Sequence, residues 1–290
     1  MDGVLVVDKP SGLTSHDVVA AARRAFDEQR IGHTGTLDPL ATGVLPLALG
    51  RATRLVRFLS GSDKDYDATI RFGAATDTYD ITGTETSRSD RLPARDDVER
   101  ALTSLRGEYL QMPPAYSAKK VGGRRAYAMA RRDQVVELTA VPVAVSRAEL
   151  LEFDGATARV AITCSAGFYV RSFAHALGDL TAAGACLAAL RRTRSGDFRI
   201  GDAVSLDQFV QDPAGAARRI IPPERLLERF PAVLLSPEDC RRVSHGQEVE
   251  GPGTGAEGDW VRLIDADGRL VALATPGSRP DSLHPAVVLI

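Results

Sequence analysis

Hydrophobic positions along the chain change period several times, and each change marks an element. Gly3 to Val7 is a short apolar run closed by Asp8-Lys9-Pro10-Ser11-Gly12, which predicts a strand entering a turn. Thr14-x-x-Asp17 has the form of a capping box. Val18, Val19, Ala22 and Phe26 then recur at helical spacing. Residues 32–50 are dense in Gly, Thr and Pro, which predicts a long structured loop. Tyr66, Ala68, Ile70 and Phe72 alternate with polar residues, the pattern of a half-buried strand, and Ala158, Val160, Ile162 and Cys164 repeat it. Asp96 to Leu105 reads as a helix. Phe168 to Thr181 reads as another, with Phe173, Leu177 and Leu180 on one face. Strands outnumber helices and are not regularly separated by them. The expected class is therefore α+β, a mixed and mostly antiparallel sheet with helices packed on it. After Pro222-Pro223 and Phe230-Pro231, short strands recur between Gly-rich turns. These predict a small β-rich domain over 231–290 beside a larger one over 1–230.

Length agrees with two domains, since 290 residues divide into units of roughly 150. A composition of 44% hydrophobic and 26% charged residues excludes a largely disordered chain. No apolar run nears the ~18 residues of a membrane span. The start, Met1-Asp2-Gly3, lacks the basic residues and long apolar stretch of a signal peptide. The three cysteines, Cys164, Cys186 and Cys240, form no C-x-x-C pair, which argues against a disulfide framework and a zinc site. A reducing, cytoplasmic setting is expected. The net charge of −2 hides an uneven distribution. Residues 201–290 hold 9 basic and 14 acidic residues, while Arg106 to Arg132 hold seven basic residues and one acid, Glu108. Arg191, Arg192, Arg194 and Arg199 form a second basic strip. Such strips are either solvated surface or contacts for phosphates.

Three groups of residues carry candidate chemistry. Asp38 lies between Leu37 and Pro39 in the Gly-rich segment Gly32-His33-Thr34-Gly35-Thr36-Leu37-Asp38-Pro39-Leu40-Ala41-Thr42-Gly43. Pro39 fixes its own φ and biases Asp38 toward extended geometry. That reading leaves Asp38 open between a nucleophile or base on a stiffened loop and a residue that merely starts a turn. Arg171 sits among Phe168, Tyr169, Val170 and Phe173, and an arginine in apolar surroundings needs an anionic partner. Asp38 would satisfy that need, although composition alone does not select it. His33 has no second histidine at ligand spacing, so a polar or stacking role is expected. Pro113-Pro114-Ala115-Tyr116-Ser117-Ala118-Lys119-Lys120 leads into Gly122-Gly123-Arg124-Arg125, a basic loop suited to nucleic acid or to exposure.

Taken in order, these blocks resemble the TruB family of tRNA pseudouridine-55 synthases. The resemblance runs from Gly3 to about Phe198 and includes Val6-Val7-Asp8-Lys9-Pro10-Ser11-Gly12 and the Gly32 to Gly43 segment. It continues through Lys64-Asp65-Tyr66-Asp67-Ala68, Gly73-x-x-Thr76-Asp77-Thr78 and Gln111-Met112-Pro113-Pro114-Ala115-Tyr116-Ser117-Ala118-Lys119. It ends with Gly167-Phe168-Tyr169-Val170-Arg171-Ser172 and Leu190-Arg191-Arg192-Thr193. The Pro-Pro-Ala-Tyr-Ser-Ala-Lys stretch resembles the stand-alone bacterial type and not the RNA-guided relatives.

The resemblance implies a pseudouridine synthase fold and an isomerase. The enzyme would detach a uracil of the tRNA T-loop from its ribose, rotate it and rejoin it through carbon. Asp38 matches the family's essential aspartate, whose attack falls on the ribose C1′ or on the uracil ring. Tyr66 matches the tyrosine that stacks on the target base and is a proposed proton acceptor, and Arg171 matches the arginine paired with the aspartate. His33 matches a residue holding the flipped T-loop bases. Lys9 and Pro10 match supports of the active-site loop; Tyr169 and Leu190 match the lining of the uracil pocket. Lys119, Lys120, Arg124 and Arg125 would belong to a basic RNA-binding insertion over about 106–132. No cofactor, metal, membrane or obligate protein partner is implied. The alternatives are a tRNA-binding or folding protein in which catalysis is secondary, and an RNA-guided synthase.

The chain departs from the family pattern in places. Phe168 stands where Thr is frequent, Ala176 where an acid precedes Leu-Gly, and Arg132-Asp133 where Gly follows an Ala-Arg pair. The segment 231–290 is weakly similar to a PUA-type RNA-binding domain, and its net acidity sets it apart from a strong phosphate binder.

Overall fold

The computed structural model describes residues 1–116, 138–251 and 260–290, together with the backbone of the short strand pair Lys120–Val121 and Arg124–Arg125. One ten-stranded mixed sheet forms the larger part of the molecule. Its main path runs Val204–Ser205, Gly3–Lys9, Thr42–Leu49, Ala185–Ser195, Lys64–Phe72, Thr157–Cys164, Val141–Phe153, Gly107–Gln111. Two pairings in it are parallel, Gly3–Lys9 with Val204–Ser205 and Ala185–Ser195 with Thr42–Leu49; the others are antiparallel. The α+β expectation holds.

Both faces of the sheet are covered, and the period-2 rule assigns each residue to a face. Leu5 and Val7 point into a core shared with Val18, Val19 and Ala22 of helix Ser15–Phe26, Val98 and Leu102 of helix Arg95–Ser104, and Phe173 and Leu177 of helix Val170–Leu180. Val4 and Val6 point the other way, into a core with Leu55, Leu59, Leu226, Leu273 and Leu289. A strand buried on both faces reads as a continuous apolar run, which is why Gly3 to Val7 shows no alternation. Helix Ser15–Phe26 starts with the capping box read in the sequence, Thr14 accepting from the Asp17 amide. The helix predicted from Phe168 begins two residues later, because Tyr169 is extended (φ −113°, ψ 109°) and serves as its N-cap.

The expected long loop over 32–50 is corrected. Thr42–Leu49 is a central strand and Ile31–His33 a short one beside it; only residues 34–41 form the loop. Pro46 misled the reading, since proline removes a ladder donor. Its carbonyl accepts from the Thr34 amide at 3.1 Å, so the edge on which an N–H is missing is the one where the Ile31–His33 ladder has already ended.

A second, five-stranded sheet runs Ala232–Leu234, Val261–Ile264, Leu270–Pro276, Ser282–Val288, Val249–Glu250. It shares the second core with the larger sheet through Leu270, Leu273, Val287 and Leu289. Arg51 and Arg54 donate to the carbonyls of Leu289 and Val288, fixing its last strand to the first sheet's flank. Among the described residues, no helix is long and apolar enough to cross a membrane.

Candidate active site

The loop 34–41 and the N-terminus of helix Val170–Leu180 converge over the middle of the large sheet. Between them lies a cleft of about 610 Å³. Its lining includes His33, Asp38, Tyr66, Tyr169, Arg171 and Leu190. Six of the sequence-selected residues, drawn from four segments, thus meet at one place.

The centre of the cleft is an ion pair. Arg171 Nε lies 2.8 Å from Asp38 Oδ2, and Arg171 Nη2 donates to Asp38 Oδ1 at 3.1 Å. The arginine side chain is 6% exposed and the aspartate 40%, so the pair has one buried and one accessible member. An isolated buried guanidinium is costly, and this one is offset by acceptors around its two terminal nitrogens, while Nε faces Asp38 in the ion pair without a hydrogen bond. It donates to the carbonyls of Thr78 (3.1 Å) and Tyr116 (2.9 Å) and lies 3.8 Å from the buried carboxylate of Asp80. Asp38 is the anionic partner that Arg171 needs among its apolar neighbours, with Asp80 as a second carboxylate. The outcome is an aspartate that faces the cleft with both oxygens oriented.

Lys9 and Pro10 lie behind the loop and not in the cleft. Lys9 is fully buried, and its ammonium donates to the carbonyls of Leu13 (2.6 Å), Pro10 (2.8 Å) and Pro39 (3.4 Å). Pro39 follows Asp38, so this one side chain ties the loop to the turn after the first strand. Ser15 adds to the fixation, its hydroxyl both donating to the Leu37 carbonyl and accepting from the Leu37 amide. Burial pushes the Lys9 amine down to about 8, against the opposite pull of the Asp38 carboxylate. The folded protein therefore binds this proton more weakly than the unfolded chain does. The burial cost is fully present below pH 8 and is relieved as pH rises toward 10.5. Denaturant unfolding at pH 7, 9 and 10 is expected to show wild type gaining stability relative to Lys9→Met across that window. At neutral pH the same variant should lose about tenfold in turnover without loss of RNA affinity, because it frees the loop and not the ligand surface.

Tyr66 lies on strand Lys64–Phe72, directly opposite Arg192 in the register with Ala185–Ser195. Burial raises its phenol above the ordinary value, with the Arg192 guanidinium pulling the other way. The phenol is therefore neutral in the resting site. Tyr169 is set by Gln111, whose side-chain amide accepts from the Tyr169 N–H (2.8 Å) and donates to its carbonyl (3.1 Å). Ser172 donates to the Met112 carbonyl at 2.8 Å, so the segment ending strand Gly107–Gln111 is stitched to the helix start. Phe168, where the family pattern shows Thr, adds an apolar wall and packs on Phe173 with ring centroids 5.8 Å apart.

Several contributors escaped the sequence reading. Arg192 is 1% exposed and donates to the carbonyls of Val44 (2.7 Å) and Gly35 (3.0 Å), fastening the loop from below. Gly43 (φ +98°) lies so close to the Arg192 backbone that a Cβ there would collide with it. Lys64, Asp80 and Gln111 are further buried polar groups at or beside the site. The quoted blocks hold Lys64, Gln111 and Arg192 but not Asp80, and nothing in a single sequence separates a buried polar residue from a solvated one. In the basic strip around 191–199, three of the four arginines are engaged by other parts of the protein and Arg199 is exposed. Arg191 pairs with Asp8 (2.7 Å), Arg194 with Asp65 (2.6 Å), and Arg192 is internal. Lys119 and the side chains of Lys120, Arg124 and Arg125 lie outside the described residues.

Comparison with known proteins agrees with this geometry. Residues 23–170 match the family described as TruB family pseudouridylate synthase (N terminal domain), and residues 231–276 match Pseudouridine synthase II TruB, C-terminal. The chain is 42% identical to the tRNA pseudouridine synthase B of Solibacter usitatus over the full length of both. It is 46% identical to that of Symbiobacterium thermophilum, covering 85% of this chain and 82% of the relative. It is 41% identical to that of Mycobacterium leprae, covering 99% and 92%. Among solved structures it superposes on an H/ACA RNP bound to a substrate RNA containing 2′-deoxyuridine. The TM-score is 0.75 at 26% identity, covering 99% of this chain and 85% of the other. An archaeal box H/ACA sRNP Nop10-Cbf5 complex gives 0.74 at 27%.

Proposed function

The chain belongs to the TruB family of pseudouridine synthases, and from that premise we propose that it isomerises a T-loop uridine of tRNA to pseudouridine, with Asp38 as the nucleophile. The observation that carries the reading is the Asp38 carboxylate, accessible at the cleft, held by buried Arg171, with Tyr66 in the same lining.

The reaction conserves every atom of the nucleotide. The N1–C1′ bond breaks, a C5–C1′ bond forms, the C5 proton leaves and N1 gains one. Asp38 attack on the ribose C1′ and on the uracil ring both fit the geometry. In either case Arg171 keeps the carboxylate aimed and compensates the charge that shifts as it reacts. Tyr66 offers a ring face to the extruded base and a neutral phenol that relays the C5 proton, taking it up as it releases its own to solvent. That proton lies next to a carbonyl and its loss restores the conjugated ring, so a weak base suffices. Extruding the base costs a few kcal/mol, and stacking on an aromatic returns ~1–3 kcal/mol. His33, Tyr169 and Leu190 would line the space around it. Selection would rest on T-loop shape and splayed bases rather than on a paired sequence.

Residues 1–230 serve as the catalytic unit in this reading, with the basic segment over about 106–132 contacting RNA phosphates; 231–290 is a PUA-like accessory unit. Action on bare tRNA, without a protein partner, in a cytoplasmic setting completes the proposal. Assembly of Asp38, Tyr66 and Arg171 into one cleft favours an enzyme over a tRNA-binding protein, which needs none of the three in register. The test is tritium release from a tRNA transcript labelled at uracil C5, with the product mapped by sequencing. Release from the T-loop uridine by the isolated protein is expected. Tight tRNA binding with no release would move the reading to a binding or guided protein.

A further inference from the structure

The turn 77–83 crosses the start of helix Val170–Leu180 and touches it twice. Thr78 gives its carbonyl, and Asp80 its carboxylate, to Arg171. Between them, Tyr79 lays its ring flat on His175, with centroids 4.0 Å apart and planes 8° apart. Arg171 and His175 are four residues apart and share one helix face. The turn therefore grips one helix face at two successive turns, once by charge and once by stacking.

Tyr79 reaches that position at a conformational cost. Its φ is +62°, a left-handed conformation that favours glycine and that surroundings must over-determine in a tyrosine. The surroundings do so. Tyr79 O accepts from the Leu187 amide and Leu187 O from the Ile81 amide, both at 2.9 Å, and Thr76 donates to Asp80 O at 2.7 Å. His175 presents its ring as a plate. Its Nδ1 is buried with no hydrogen-bond partner among the described residues, and its Nε2 lies 3.7 Å from Asp179.

We propose that Tyr79 and His175 are positioning residues for the isomerisation. Their stack sets the height of the turn on the helix, and so fixes the Thr78 and Asp80 contacts that orient Arg171 toward Asp38. The inference rests on the functional reading above. It takes the reacting aspartate's geometry one step outward, to two rings that touch neither substrate nor Asp38.

The test uses the full chain and single-turnover tritium release at saturating enzyme, with tRNA affinity measured by filter binding. Tyr79→Gly removes the ring while suiting the left-handed backbone, so the fold is retained. His175→Ala removes the plate, and His175→Phe restores it without the nitrogens. Expected are a fall of about tenfold or more in the maximal rate for Tyr79→Gly and His175→Ala, tRNA Kd within twofold of wild type, and His175→Phe within twofold in both. Three results would overturn the proposal: wild-type rates in Tyr79→Gly and His175→Ala, a loss in affinity alone, or a His175→Phe protein as slow as His175→Ala. Wild type run alongside separates the two readings, since its failure to release tritium overturns the proposed function itself.

Discussion

Replacing Asp38 with Asn is expected to leave a folded protein that binds tRNA and forms no measurable pseudouridine. The side chain keeps its size and one oxygen, so the loop 34–41 retains its shape. It loses the charge that makes it a nucleophile, and removal of a covalent nucleophile costs on the order of 10⁴-fold or more in rate. Arg171 is not left unpaired by the change. The Thr78 and Tyr116 carbonyls still accept its protons, and Asp80 still lies 3.8 Å away. Because Asp38 is 40% exposed, loss of its pairing should cost only about 1 kcal/mol of stability. The measurement is single-turnover tritium release beside a thermal unfolding curve. Turnover within a hundredfold of wild type would remove Asp38 from the nucleophile's role.

The second large effect is expected at Tyr66. Tyr66→Phe keeps the ring on strand Lys64–Phe72 and deletes only the hydroxyl. Removal of a proton-transfer group costs ~10²–10⁴-fold in rate, and affinity for tRNA should stay within about twofold because the stacking face is intact. Tyr66→Ala deletes both functions and should add a loss of affinity worth ~1–3 kcal/mol. Comparing the two variants separates the ring from the oxygen. A Tyr66→Phe protein that turns over within tenfold of wild type would reduce the tyrosine to a stacking surface. Deleting the oxygen also removes a group that burial holds neutral beside Arg192. No buried charge is stranded in the tyrosine's place, and the fold should tolerate the change.

What the sequence by itself determined was local in character. The capping box at Thr14 and Asp17, the alternation from Tyr66 to Phe72 and from Ala158 to Cys164, the helix over Asp96 to Leu105 and the helix face at Phe173 reflect local patterns written within about ten residues. The ordered blocks also marked Asp38, Tyr66 and Arg171 as one site, and the fold brings them to one cleft. Where the reading failed, the cause was a long-range neighbour. Pro46 lies in a central strand because the ladder on its donor side has ended, which depends on residues 31–34. Three of the 191–199 arginines, Arg191, Arg192 and Arg194, have partners, Asp8, Val44 and Asp65, that lie more than 120 residues away. Burial of Lys9, Arg192 and Gln111, the contact of Asp80 with Arg171, and the stacking of Tyr79 on His175 have the same origin. A charged or polar side chain is stable inside only if partners surround it, and those partners are assembled by tertiary packing from segments that no local pattern connects.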